Sequence, residues 1–244
     1  MRPIVLFDVD GTLTKPRGKV TTDVLDTLTQ LHQYADIGIV GGSDLVKIKE
    51  QLGDQLQNYP YIDYIFSENG LVSYQHQCVL SNYSMCEYLG ETKLKKFINF
   101  CLRYLADIDI PIKRGTFIEL RQSMINISPI GRNCSQHERD EFEQYDNTHH
   151  IRQNMIHALR TEFPDYGIKY SIGGQISFDV LGTQFDKTFC LQYVSHYETI
   201  YFFGDKTYPG GNDHEICHDN RVIGYTVTSY EDTMSQLRTL FHQS

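Results

Sequence analysis

The chain has 244 residues, a formal net charge of −9 and 40% hydrophobic content. That length supports one large domain or two modest ones. The acidic balance argues against a general nucleic-acid binder, because phosphate backbones demand basic surface, and no apolar run is long enough to span a bilayer.

The N-terminus enters an apolar strand pattern at once and carries early aspartates, unlike a secretory leader. The expectation is therefore a cytoplasmic protein without membrane contact. Six cysteines are scattered, with no C-x-x-C pair, which predicts free thiols rather than disulfides or a zinc site.

Residues 3–8 form a short apolar run, as in strands buried on both faces of a parallel sheet. A helix is predicted over 21–34, a strand over 36–40, a helix over 44–56 and a strand over 64–66. This alternation implies parallel strands with right-handed crossovers. A hairpin-like stretch follows over 71–84. The period then changes: a helix over 92–106 carries Leu94, Phe97, Ile98, Cys101, Leu102 and Leu105 on one stripe. Two strands fall within 115–130, Ser135 and Glu138 open a helix as a capping box, and another helix runs 151–163. Strands at 168–171 and 175–180 flank Gly173-Gly174. From 187 the α/β pattern returns, with a helix to 195, strands at 199–203 and 222–228, and a helix over 232–241. The expected fold is a parallel α/β core, 1–81 and 185–244, with an inserted α+β domain over 82–184.

Asp8 and Asp10 lie where the first strand ends. Residues two apart in a strand face the same side, and open α/β sheets bind ligands at their carboxyl edge. Two close carboxylates call for a cation or a proton between them, and a hard oxygen-seeking ion such as Mg²⁺ fits. Gly11 allows a sharp turn, and Thr12 offers a hydroxyl and an N–H to an anion. D-x-D alone is as readily an acidic turn; D-x-D-G-T ending an apolar strand is far more specific. Ser43 precedes a helix N-terminus, which suits phosphate and equally an ordinary cap. Lys187 can neutralise a transferring phosphate, although a lone lysine is more often solvated. Asp205 and the Gly-rich stretch through Asp213 follow another strand at the same sheet edge. Arg17, Arg121, Arg132 and Arg139 can form an anion clamp or a solvated face. Ser177 and Asp179 share a strand face, suited to sugar hydroxyls or to a buried polar pair. His149, His150 and His157 show no metal spacing, and no serine has a visible His/Asp partner.

In order, Asp8-Val-Asp-Gly-Thr-Leu, Gly42-Ser43, Lys187 and Gly204-Asp205 with Asn212-Asp213 resemble the signatures of the haloacid-dehalogenase superfamily, which implies a Rossmann-like core with an inserted cap. The match extends through Phe66-Ser-Glu-Asn-Gly70, Arg114-Gly-Thr-Phe-Ile-Glu119, Asn126-Ile-Ser-Pro-Ile-Gly-Arg132, Gly174-Gln-Ile-Ser-Phe-Asp179 and Pro209-Gly-Gly-Asn-Asp-His-Glu-Ile216. Over nearly the whole chain it resembles the eukaryotic phosphomannomutases.

That resemblance implies interconversion of mannose 6-phosphate and mannose 1-phosphate, feeding GDP-mannose synthesis and glycosylation, with action on glucose phosphates also expected. It implies Mg²⁺ and glucose 1,6-bisphosphate or mannose 1,6-bisphosphate as activator. Carried over, Asp8 is the nucleophile, Asp10 the acid/base and Lys187 a catalytic cation. Ser43 and the four arginines bind phosphate, and Ser177 and Asp179 bind the sugar. Asp8, the Asp10 carbonyl and Asp205 ligate Mg²⁺. A second ion is implied in the Cys217, Asp219 and Val222 loop through its backbone, and a homodimer through the cap, with Phe117 a candidate contact. The competing expectations are a phosphatase on the same core, with water as acceptor, and a non-catalytic sugar-phosphate binder.

Overall fold

The computed structural model describes residues 2–54 and 56–241. Two compact units result: Met1–Asn82 with Phe185–Ser244, and Tyr83–Gln184 between them in sequence.

The first unit is built on a seven-stranded sheet. Its strands are β1 (Ile4–Phe7), β2 (Asp36–Val40), β3 (Tyr64–Ser67), β4 (Val72–Gln75), β5 (Cys78–Asn82), and, from the far end of the chain, β10 (Ile200–Gly204) and β11 (Ile223–Thr226). The order is β11-β10-β1-β2-β3-β4-β5. The first five in that order are parallel, and β4 and β5 add as an antiparallel hairpin.

All four residues of β1 are buried, and the alternation explains why. Val5 and Phe7 face a cluster with Val24, Leu28 and Leu31 of α1 (Thr22–Leu31), Ile48 and Leu52 of α2 (Leu45–Leu52) and Leu237 of the last helix (Tyr230–Phe241). Ile4 and Leu6 face a second cluster with Cys190, Leu191, Val194 and Ile216. Each large apolar side chain so buried contributes about 1.5–3 kcal/mol, and a strand covered on both faces has no polar positions. Register seats Phe7 beside Ile39 and Phe203. Asp8 therefore leaves the sheet at its centre, at the carboxyl end of three parallel strands.

Three expectations are corrected in this unit. The 44–56 helix stops at Leu52, because Gly53 turns out at φ 110 and a separate 3₁₀ turn covers Leu56–Asn58; residue 55 lies outside the described residues. Residues Lys187–Tyr193 form 3₁₀ turns, not an α-helix. Thr188, Phe189, Cys190 and Tyr193 are weak helix formers, and the segment packs Cys190 against Gly70. A Cβ on Gly70 would sit 2.9 Å from Cys190 Cβ, and Gly70 adopts φ 97, so glycine is required there. The last strand is also shorter than expected, Ile223–Thr226.

The second unit has the antiparallel sheet order β6-β7-β9-β8. These strands are β6 (Ile118–Leu120), β7 (Met124–Ile127), β8 (Ile168–Gly173) and β9 (Ser177–Gly182). Its helices are α3 (Met85–Leu89), α4 (Glu91–Asp107), α5 (Gln136–His149) and α6 (Ile151–Glu162). Leu94, Phe97, Cys101 and Leu105 of α4 are buried, but Leu102 is 51% exposed. At about 100° per residue Leu102 lies at the margin of the stripe. Ser135 caps α5 with Glu138 in a reciprocal box. Arg152 and Asp146 form a buried ion pair at 2.6 Å, and the same guanidinium donates to the carbonyls of Gly174 and Ser177.

Candidate active site

Asp8 is held by its own backbone, whose N–H donates to the Phe203 carbonyl at 3.0 Å. Beyond it the chain folds sharply: the N–H groups of Thr12, Leu13 and Thr14 all point to the Val9 carbonyl. Gly11 makes this possible at φ 81, where a Cβ would collide with the Asp205 carboxylate. The Thr12 N–H, expected to be open to an anion, is thus used within the turn; its hydroxyl is buried without a hydrogen-bond partner.

Lys187 is fully buried, although a lone lysine more often lies in water. Its ammonium donates to Asp8 Oδ1 and, at 2.5 Å, to Asp213 Oδ1. Asp213 also accepts the Lys206 N–H at 3.1 Å. Carboxylate oxygens of Asp8, Asp205 and Asp213 all lie within 4.8 Å of one another, and Asp205 Oδ1 is buried with no hydrogen-bond partner. Three carboxylates against one ammonium leave excess negative charge in a dry place. Burial accordingly raises Asp8 to about 6, against the opposing pull of Lys187 and with further help from Asp213. Burial also raises Asp205. Burial draws Lys187 down, but the charges of Asp8 and Asp213 outweigh it and leave the ammonium more firmly protonated than usual. An orphaned buried carboxylate oxygen beside two others is what a hard divalent cation satisfies. The residues present fit such an ion. Asp213, which the sequence reading placed only in a motif, belongs to this centre.

Asp10 stands apart from the three. Its Oδ1 accepts the Arg17 N–H at 2.6 Å and Gln51 Nε2 at 2.8 Å. Gln51, on α2, had no signal in the sequence beyond its place on that helix. Asp8, Asp10, Gly42, Ser43, Gln51 and Asn212 line one small cavity of about 120 Å³. Ser43 precedes α2, whose first turn is capped by Asp44 accepting the Lys47 N–H. Its loop is pinned from below: Glu68 N–H donates to the Ser43 carbonyl and Asn69 N–H to that of Gly41, both at 2.9 Å. Asn69 Nδ2 reaches the Phe185 carbonyl at 3.3 Å. The turn after β3 therefore positions both the Ser43 loop and the segment leading to Lys187.

In the second unit, Arg121 and Arg132 share the Glu119 carboxylate, at 2.6 and 3.1 Å. Glu119 is held below its usual range, first by the Arg121 hydrogen bond. Arg132 also donates to Asn126 Oδ1 at 2.7 Å, and Arg139 donates to the Arg132 carbonyl at 3.2 Å. Asn126 Nδ2 in turn donates to Ser177 Oγ at 3.1 Å and Asp179 Oδ1 at 2.6 Å. The three cap arginines, Ser177 and Asp179 thus form one network, whose links are Glu119 and Asn126. Both stand at the ends of matching motifs, Arg114–Glu119 and Asn126–Arg132, but spacing alone marks neither as a link. Arg17 belongs to the first unit, is exposed and has φ 58. His149 stacks on Tyr145 and His150 makes the left-handed bend between α5 and α6.

In the 217–222 loop the Asp219 carboxylate is spent on Arg221, at 2.7 and 2.8 Å, and its carbonyl accepts the Val222 N–H at 3.0 Å. For a hard ion Cys217, Asp219 and Val222 offer their backbone oxygens, the free Cys217 thiol being a soft donor.

A model of the eukaryotic phosphomannomutase family matches residues 24–243. A phosphomannomutase of Glycine max is 56% identical over 238 residues, covering 98% of this chain and 96% of that protein. One from Triticum aestivum is 55% identical over 239 residues, covering 98% and 95%. Among solved structures, a haloacid dehalogenase-like hydrolase from Bacteroides thetaiotaomicron superposes with a TM-score of 0.60 at 12% identity, over 99% of this chain and 100% of that one. Aspergillus fumigatus trehalose-6-phosphate phosphatase gives 0.60 at 15% identity, over 98% and 92%. At such identities the structures show the fold, a haloacid-dehalogenase-like core with a cap.

Proposed function

This chain belongs to the eukaryotic phosphomannomutase family, and from that premise we propose that it interconverts mannose 6-phosphate and mannose 1-phosphate through a phosphoryl group carried on Asp8. The observation that carries the proposal is the buried Lys187 ammonium shared by Asp8 and Asp213. It keeps one Asp8 oxygen neutralised and directed while a phosphoryl group approaches the other.

In the first half-reaction an Asp8 oxygen bonds to phosphorus as the bond from phosphorus to the sugar oxygen breaks. Asp10 gives its proton to that departing oxygen. In the second half-reaction Asp10 takes the proton from the acceptor hydroxyl, whose oxygen bonds to phosphorus as the Asp8–phosphorus bond breaks. The Arg17 N–H and Gln51 Nε2 hold the Asp10 carboxylate for both transfers. Asp8, Asp205 and the Asp10 carbonyl would hold Mg²⁺, with Asp213 beside them, and when bound the ion offsets the charge of the phosphoryl oxygens. Ser43 supplies a further donor to them. The donor of the first half is a hexose 1,6-bisphosphate, the activator, which leaves as a monophosphate. The acceptor of the second half is a hexose monophosphate, whose phosphorylation regenerates a bisphosphate that must turn end for end before it donates in its turn. Arg17, Arg121, Arg132 and Arg139 hold whichever phosphate is not reacting, and Ser177 and Asp179 hold sugar hydroxyls.

The product feeds GDP-mannose synthesis and glycosylation in this reading, and glucose phosphates serve as secondary substrates. A homodimer forms through the cap near Phe117. Backbone ligation of a second ion at Cys217, Asp219 and Val222 is part of the same proposal. Among the described residues no helix is long and apolar enough to cross a membrane.

The test supplies mannose 1-phosphate with Mg²⁺, with and without glucose 1,6-bisphosphate. Activator-dependent formation of mannose 6-phosphate supports the mutase. Release of free phosphate without isomerisation supports instead a phosphatase, the activity carried by the name of the Aspergillus fumigatus relative in fold.

A further inference from the structure

At the opposite end of the core strands from Asp8, four side chains converge from four segments of the first unit. His32 follows α1, Asp36 opens β2, Asp63 precedes β3, and His76 lies in the turn between β4 and β5. His32 Nε2 is 3.2 Å from Asp63 Oδ2, and His76 Nε2 is 4.0 Å from Asp63 Oδ1. Ligand atoms of His32, Asp36 and Asp63 all lie within 4.8 Å of one another.

We propose that this cluster is a further cation site, selective for a zinc-like transition metal rather than Mg²⁺. Bonds of about 2.0–2.2 Å arranged tetrahedrally place neighbouring ligand atoms about 3.3–3.6 Å apart. His32 and Asp63 already hold nearly that edge, Asp36 lies within 4.8 Å of both, and the fourth place falls to His76, 4.0 Å from Asp63, or to water. Two imidazoles with two carboxylates suit zinc, whereas Mg²⁺ prefers oxygen alone.

The carboxylates are oriented from outside as metal ligands are. Ile37 N–H donates to Asp63 Oδ2 at 2.8 Å, and the Tyr197 hydroxyl to Asp36 Oδ2 at 2.6 Å. An oxygen accepting one such bond keeps a second lone pair for an ion. Arg2 Nε lies 3.0 Å from Asp36 Oδ1, and the same guanidinium also donates to the Ala35 and His32 carbonyls at the rim. Two carboxylates against Arg2 leave a net negative charge to receive a dication. The His32 and His76 side chains are 28% and 57% exposed, so an ion reaches the cluster from water. Bound there, it would tie the end of α1 and the β4–β5 turn to the starts of β2 and β3, stabilising the fold by mass action.

The test uses the full-length protein with Cys78→Ser, which removes an exposed thiol, in saturating Mg²⁺ to fill the acidic centre at Asp8. Zinc is titrated by thermal unfolding, and Co²⁺ by its visible spectrum. The expected result is a saturable rise in Tm, a tetrahedral cobalt spectrum, and zinc affinity at least about tenfold weaker in His32→Gln. Far-UV circular dichroism and Mg²⁺-supported mutase activity should match the parent in that variant. Loss in His76→Gln as well supports four protein ligands; unchanged affinity there supports three with water as the fourth. Zinc binding of equal strength in the parent and His32→Gln, or no saturable zinc binding, overturns the proposal.

Discussion

Replacing Arg152 with methionine should destabilise the cap severely, and replacing its partner too should largely restore it. Arg152 Nε donates to Asp146 Oδ2 at 2.6 Å and its backbone N–H to Oδ1 at 2.9 Å. A second guanidinium nitrogen reaches the carbonyls of Gly174 at 2.9 Å and Ser177 at 3.2 Å. Both residues are nearly buried, at 5% and 6% exposure. Arg152→Met therefore leaves a buried carboxylate without its counter-charge, at a cost of about 3–5 kcal/mol, beside two carbonyls that each lose a charged donor. With a urea slope of about 2 kcal/mol per molar, the cap transition should fall by about 2 M in a circular dichroism titration. Arg152→Met with Asp146→Leu removes the orphaned charge and should recover most of that loss. The Gly174–Ser177 turn carries Ser177, so the single variant should also raise KM for mannose 1-phosphate. A single variant within about 1 kcal/mol of the parent, or a double variant no more stable than the single, would refute the reasoning.

Gly11→Ala should lose Mg²⁺ affinity and kcat together, because both its φ and its contact with Asp205 forbid a side chain; isothermal titration with Mg²⁺ checks this, and unchanged binding contradicts it. Asn126→Ala removes the amide that joins Arg132 to Ser177 and Asp179, so KM for the sugar phosphate should rise about tenfold with kcat less affected; steady-state kinetics decide. Burial pushes the thiols of Cys101 and Cys190 well above the usual range. In a disulfide-exchange assay at neutral pH neither should react until the chain unfolds, whereas the exposed Cys78 should react at once.

Much of the core was legible because its signals are local. A four-residue apolar run ending in Asp8 has one comfortable place, the centre of a doubly covered sheet, and the alternation after it leaves little choice of topology. The Ser135–Glu138 box and the Asp36–Val40 strand were equally plain. What escaped depends on contacts between distant segments. Asp213 lies 26 residues from Lys187, and only the folded chain places their charges 2.5 Å apart. Gln51 looked like any polar residue on a helix until α2 turned it toward Asp10. Asn126 and Glu119 act as links, and linking leaves no pattern in spacing. Periodicity puts Leu102 on the buried stripe because it does not tell the middle of a face from its margin. Sequence pattern predicts a helix over 187–195, while packing against Gly70 and the burial of Lys187 hold Lys187–Tyr193 in 3₁₀ turns.

The central claim is that the phosphoryl group rests on Asp8. It is tested most directly by mixing the protein with Mg²⁺ and glucose 1,6-bisphosphate, reducing any acyl phosphate with borohydride, and sequencing the peptides that carry Asp8, Asp10, Asp205 and Asp213 by mass spectrometry. Homoserine at position 8, absent from Asp8→Asn, is the predicted result. Homoserine at Asp10, Asp205 or Asp213 instead, or sustained mutase turnover in Asp8→Asn, would contradict it.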